Sequence, residues 1–262
     1  IKKVLAHKIE DWISTIKDET LAMRIREDVY LTGGAIASML LGERINDYDL
    51  YFKTFETAKA VAEYYVTLFN YTKGSLKTEA LRSCNPGVKI EDLPNVKGQI
   101  ERRIRIHIQS SGVASETQSE YKYFESLPEQ ETDKFMESLD PGFEGVAEDQ
   151  LETADTLLED INSKSTVKLP KQKYRPIFMS ENAITLSDKI QLVLRFYGAP
   201  SVVHENYDFV HTTNWYDHKA YVLHMNQEAL ESLLSKSLIY KGSLYPVASL
   251  FRTRKFIERG WR

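Results

Sequence analysis

The stretch from Leu31 to Phe52 constrains the fold more than any other. It reads as a strand end, the glycine pair Gly33-Gly34, a short helix on Ile36, Met39 and Leu40, and a second strand that carries Asp47 and Asp49. Side chains two apart on a strand share a face. The two carboxylates therefore project together, with their Cα atoms roughly 6.5–7 Å apart, while Tyr48, Leu50 and Phe52 turn toward a core. Like charges on one face repel, and a divalent cation between them is the simplest expectation. The glycines supply the other half of the site. A helix start presents unpaired N–H groups and the positive end of a dipole, and glycine lets a phosphate come close to that backbone. Metal-binding carboxylates beside a phosphate-binding helix start point to chemistry on a nucleoside triphosphate.

The run Gly-Gly-Ala-Ile-Ala-Ser-Met-Leu-Leu-Gly-Glu-Arg-Ile-Asn-Asp-Tyr-Asp-Leu, from Gly33 to Leu50, resembles the nucleotidyltransferase signature of the DNA polymerase β superfamily. It is most similar to the head domain of tRNA nucleotidyltransferases and bacterial poly(A) polymerases, and a further resemblance is to phage-encoded nucleotidyltransferases. The likeness covers residues 28–70 well and 183–262 loosely. Where those heads carry Arg-Asp, this chain has Ala37-Ser38. The resemblance implies an α/β fold (α+β in strict classification), with a mixed sheet flanked by helices. It also implies transfer of a nucleoside monophosphate from an NTP to an acceptor hydroxyl, an RNA 3′ end first among them, with release of pyrophosphate. Asp47 and Asp49 would hold two Mg²⁺ (or Mn²⁺) ions, and Gly33, Gly34 and Ser38 would contact the substrate.

Two-metal phosphoryl transfer asks for a third carboxylate on a neighbouring strand, distant in sequence. Asp208, in Tyr207-Asp208-Phe209-Val210, is the best candidate, and it resembles the hydrophobic-Asp-Phe element of the same heads. Asp188 and Glu205 are weaker rivals because both fall in turns. Arg252, Lys255, Arg259 and Arg262 would share one face of a final helix, whose apolar stripe is expected on Val247, Leu250, Phe251 and Ile257. Arg252 and Lys255 are the nominated triphosphate or acceptor contacts. His204, His211, His218 and His224 match no zinc spacing.

Charge divides the chain. Residues 116–160 hold fifteen acidic residues and two lysines, a net −13, so the rest must carry +9 against a total of −4. A basic body of this kind suits nucleotides or nucleic acid. The acidic segment, about 112–170, reads as an insertion, helical over about 117–138 and 146–162 or partly disordered. It would separate an N-terminal part (1–111) from a C-terminal part (171–262) of one domain. One cysteine, Cys84, excludes an internal disulfide framework and a cysteine-based zinc site. No apolar run is long enough for a membrane span, no secretory pattern opens the chain, and a cytoplasmic location is expected (the host cytoplasm for a phage-encoded chain). Ile1 at the start and a helical pattern running to Arg262 lead us to expect a longer native chain.

Elsewhere the periodicity predicts helices over 2–16, 18–26 and 54–70, and strands over 29–31, 46–53, 103–109, 175–179, 183–186, 190–196, 207–211 and 221–225. A short helix or turn is expected over 201–206 and a helix over 226–235 capped by Asn226. The basic face of the 103–109 strand is either simply half-exposed or lies near bound phosphates. Asn85-Pro86-Gly87 reads as a turn. Two further functions fit the same residues: a catalytically idle nucleotide- or RNA-binding module, and a transferase acting on a protein side chain or a second nucleotide.

Overall fold

Leu5, Ile9, Trp12 and Ile13 recur at helical spacing and are all fully buried, which makes α1 (Lys2–Ile13) an amphipathic helix laid on a sheet. Asp18 caps α2 (Glu19–Asp28): its side chain accepts a hydrogen bond from Leu21 N. Then follow β1 (Val29–Thr32), α3 (Gly34–Leu41), β2 (Tyr48–Phe52) and α4 (Phe55–Thr72). Asp28 accepts hydrogen bonds from the N–H and the hydroxyl of Thr54, so one buried carboxylate joins the end of α2 to the start of α4. Trp12 Nε1 donates to Tyr65 Oη at 2.7 Å, joining α1 to α4 beneath the sheet. The structure, a computed structural model, describes residues 1–72, 84–94, 98–110, 173–243 and 246–262. All of these belong to the unit formed by Ile1–Glu120 and Lys173–Arg262. The acidic segment and its two expected helices lie outside the described residues.

After β3 (Cys84–Pro94) and β4 (Ile100–Ser110) the chain continues through β5 (Pro176–Met179), β6 (Ala183–Leu186), β7 (Ile190–Val193) and α5 (Pro200–His204). A 3₁₀ turn (Val210–Thr212), β8 (Trp215–Asp217), β9 (Val222–His224), α6 (Gln227–Ser235) and α7 (Pro246–Glu258) complete it. The main sheet has seven strands in the order β5-β6-β7-β2-β1-β8-β9. β2 and β7 run parallel and every other neighbouring pair is antiparallel, so the sheet is mixed and helix-flanked as expected. Leu31, Leu50, Phe52, Ile190 and Leu192 face the main core with α1, α2 and α4. Tyr30, Tyr51 and Val203 form a smaller cluster with Tyr207 and Trp215.

Four expectations fail. Asn85-Pro86-Gly87 is no turn but part of β3, opposite Gln109, Ile108 and His107. β3 and β4 make a two-stranded sheet, and an edge strand tolerates a proline. Residues 207–211 form no strand: Phe209 makes a single bridge to Tyr240 and the 3₁₀ turn follows at once. The three residues of β8 pair with β1 where no strand was expected. On α7, Leu250 and Ile257 are 68% and 57% exposed, and the inward residues are Ser249, Phe256 and the following Trp261. In β4, Ile104 and Ile106 are buried as the alternation requires, while Arg105 lies between Glu91 (2.8 Å) and Glu181 (2.6 Å). That arginine faces carboxylates and is ion-paired.

Candidate active site

β1 ends at Thr32, and the chain turns through Gly33 into α3. Gly33 has φ +98°, a conformation that L side chains rarely adopt. A Cβ there would stand 3.1 Å from Asp49 Oδ2 and 3.7 Å from Tyr207 Oη. The glycine thus serves two ends at once: it makes the turn, and its missing side chain lets the Asp49 carboxylate lie against the backbone at the start of a helix. Gly34, the first residue of α3, is exposed, and a Cβ on it would meet nothing within 4 Å. Ser38 is half-buried one turn further on. Ala37 is buried against Leu233 and Trp261, which leaves no room for the arginine that the resembling heads carry here.

Asp47 immediately precedes β2 and Asp49 lies within it, both half-buried. Burial and then the Asp47 charge push the Asp49 carboxyl well above the usual carboxylate range. Beneath it runs a ladder of protonated hydroxyls. Burial, followed by Asp49, raises the Tyr207 hydroxyl, which is hydrogen-bonded to those of Tyr51 and Thr32. Burial raises Tyr51 as well. Thr32 Oγ1 donates to Asn214 O at 2.9 Å and lies 2.8 Å from His204 Nε2. Burial lowers the His204 ring to about 4 and keeps it neutral. Thr32 adjoins Gly33, Tyr51 lies two residues past Asp49 and Tyr207 precedes Asp208, but the sequence assigns none of them a role, and it offers His204 only as a zinc candidate without a matching spacing.

Asp208 is brought elsewhere. Its carboxylate is 4% exposed and accepts from Arg252 Nη1 at 2.5 Å, and its backbone carbonyl accepts from Lys241 N. Asp208 and Arg252, nominated for separate roles, form one ion pair that fastens α7 to the segment after α5. Lys255, one turn along α7, is exposed. Asp188 and Glu205 lie in a turn and at the end of α5. On the side of β2 away from β1 lies β7, and there Gln191 is the residue paired with Asp49. Among the described residues no three His, Cys, Asp or Glu side chains gather closely enough to hold a metal ion.

The histidines occupy separate settings. His218 Nε2 is 2.8 Å from Glu10, and His224 stacks on Trp215 at 3.9 Å. His211 is fully buried among Phe209, Phe256 and Trp261.

Magnesium and manganese take hard oxygen donors. Asp47 and Asp49 fit one such ion, because their mutual repulsion is what a cation relieves and the Gly33 cradle leaves Asp49 Oδ2 space beside the backbone. The described residues bring no third carboxylate for a second ion. No described helix is long and apolar enough to cross a membrane.

No curated protein and no solved structure matches the chain. A protein-family model does match, over residues 3–236, most of both the N-terminal and C-terminal parts around the site. On that match the chain belongs to the Gabija anti-defense 2 family.

Proposed function

We propose that this protein counters Gabija defence as a metal-dependent nucleotidyltransferase. The observation that carries the reading is the convergence at Gly33: a left-handed glycine, a helix start and the raised Asp49 carboxylate within one turn. The backbone N–H groups at the start of α3 bind phosphate oxygens of an NTP. Asp47 and Asp49 hold a divalent ion, which when bound neutralises charge on the triphosphate. The acceptor oxygen bonds to the α-phosphorus while the bond to the bridging oxygen of the β-phosphate breaks. Pyrophosphate leaves and the hydroxyl proton passes to water. Tyr207 and Tyr51 keep their protons, so their part is to hold the floor of the site by hydrogen bonds. An RNA 3′ end is the first acceptor to test, because the chain outside residues 116–160 carries a net +9.

A second reading has an observation of its own. With Asp208 committed to Arg252, the two remaining carboxylates suit a catalytically idle module that binds a metal–nucleotide complex. Label transfer separates the two. The protein is incubated with each α-³²P NTP and Mg²⁺ or Mn²⁺, with and without pooled small RNA. Transferase activity predicts label in RNA, falling by about 10²-fold or more in Asp47→Asn and Asp49→Asn. Label on protein or in a small product keeps the chemistry and replaces the acceptor. Metal-dependent NTP binding without any transferred label selects the idle module.

A further inference from the structure

Gln191 stands where the proposed chemistry asks for a third metal-binding side chain, and this inference rests on that proposed function. β7 is the parallel neighbour of β2, and the register pairs Asp49 with Gln191 directly. Cross-strand partners share a face and adjacent strands lie about 4.8 Å apart, so the Gln191 amide is the polar group beside Asp49 on the side away from Gly33. The alternation along β7 agrees. Ile190, Leu192 and Leu194 are fully buried in the main core, and Gln191 and Val193 face the other way, half-buried. Asp208 is the rival for the position, and its carboxylate is occupied by Arg252.

We infer that the Gln191 side-chain oxygen is the third protein ligand of the metal–NTP site, a neutral donor in a place that a carboxylate would make acidic. Charge explains the choice. Asp47 and Asp49 already share one end of β2, and a third anion on the adjacent strand would add to their repulsion in the empty site. A neutral oxygen still ligates a hard ion, but it adds no charge and holds the ion more weakly. The site then binds its ion well only together with the triphosphate, whose own oxygens complete the coordination. The proposed substrate is therefore the metal–NTP complex, with little affinity for the bare ion.

Mn²⁺ binding by the full chain, followed by EPR of the free ion with and without a non-hydrolysable NTP analogue, tests this apart from activity. The wild type is expected to bind Mn²⁺ weakly alone and about tenfold more tightly with the analogue. Gln191→Ala should lose most of that gain. Gln191→Glu, of the same shape, should bind the bare ion about tenfold more tightly than wild type. Thermal melts of both variants in EDTA confirm that each is folded. Binding that Asp49→Asn abolishes and that neither Gln191 variant alters overturns the role of Gln191 while leaving the Asp47–Asp49 site intact. If the wild type binds no Mn²⁺ even with the analogue, the metal-site reading fails and the inference falls with it.

Discussion

Asp49 and Asp208 are both carboxylates withdrawn from water, and they are handled in opposite ways. Asp208 meets a guanidinium at 2.5 Å and its backbone carbonyl takes the N–H of Lys241. Asp49 meets another aspartate, a glycine backbone and a tyrosine hydroxyl that keeps its proton. A buried charge with a fixed partner is part of the scaffold, since removing that partner strands the charge. A half-buried carboxylate held beside a like charge is a cost that the fold retains, and function is the usual reason for such a cost. Repulsion of this kind matters against a total stability of roughly 5–15 kcal/mol.

The contrast breaks most visibly at the paired site. Replacing Arg252 by Met should cost about 3 kcal/mol in urea unfolding, because it leaves Asp208 buried and uncompensated. The double variant Arg252→Met/Asp208→Leu should recover most of that loss. If Asp208→Asn instead left stability unchanged and abolished Mn²⁺ binding, Asp208 would be a ligand and the contrast would collapse. The glycine pair sharpens the same comparison at smaller scale. Gly33→Ala should destabilise by about 1–2 kcal/mol, from its positive φ and the 3.1 Å approach to Asp49 Oδ2. Gly34→Ala, with open space around it, should stay within about 0.5 kcal/mol in the same measurement. Equal costs would mean that the carboxylate does not press on the Gly33 turn.

The smallest effect near neutrality belongs to His211. Its ring is fully buried, neither nitrogen has a hydrogen-bond partner among the described residues, and burial lowers it to about 4. The unfolded chain binds a proton near pH 6.5 that the folded ring refuses. The stability this ring contributes is therefore complete above about pH 6.5 and is lost as pH falls toward 4. His211→Phe, packed among the same aromatic rings, should flatten the melting temperature between pH 7 and pH 5. An unchanged slope would assign the acid sensitivity to His204.

What could be read beforehand follows from the range of the forces involved. The strand–glycine–helix–strand order, the Asp18 and Asn226 caps and the alternation in β4 are local, and the structure shows each of them. β8 was invisible because three residues, Trp215–Asp217, are too few for a period; they are a strand only because β1 and β9 flank them. The hydrophobic run around Asp208 looked like a strand, but it makes one bridge before turning. The partner of Asp208 lies 44 positions away on α7, and no local pattern announces such a pairing. The same holds for Gln191, whose place beside Asp49 depends on a parallel pairing across the whole intervening chain. Its one trace was a single polar residue in Ile190-Gln-Leu-Val-Leu194.

The central claim is that Asp49 is kept at a cost for the sake of a metal and a triphosphate. Melting of wild type and Asp49→Asn, each in EDTA and in Mg²⁺ with a non-hydrolysable NTP analogue, tests it in one experiment. The account predicts a crossing. In EDTA the Asn variant melts a few degrees higher, because the repulsion with Asp47 is gone; with the metal and analogue the wild type melts higher, because only it gains from binding. Parallel behaviour of the two proteins in both conditions, or a wild type that is the more stable one in EDTA, would contradict it.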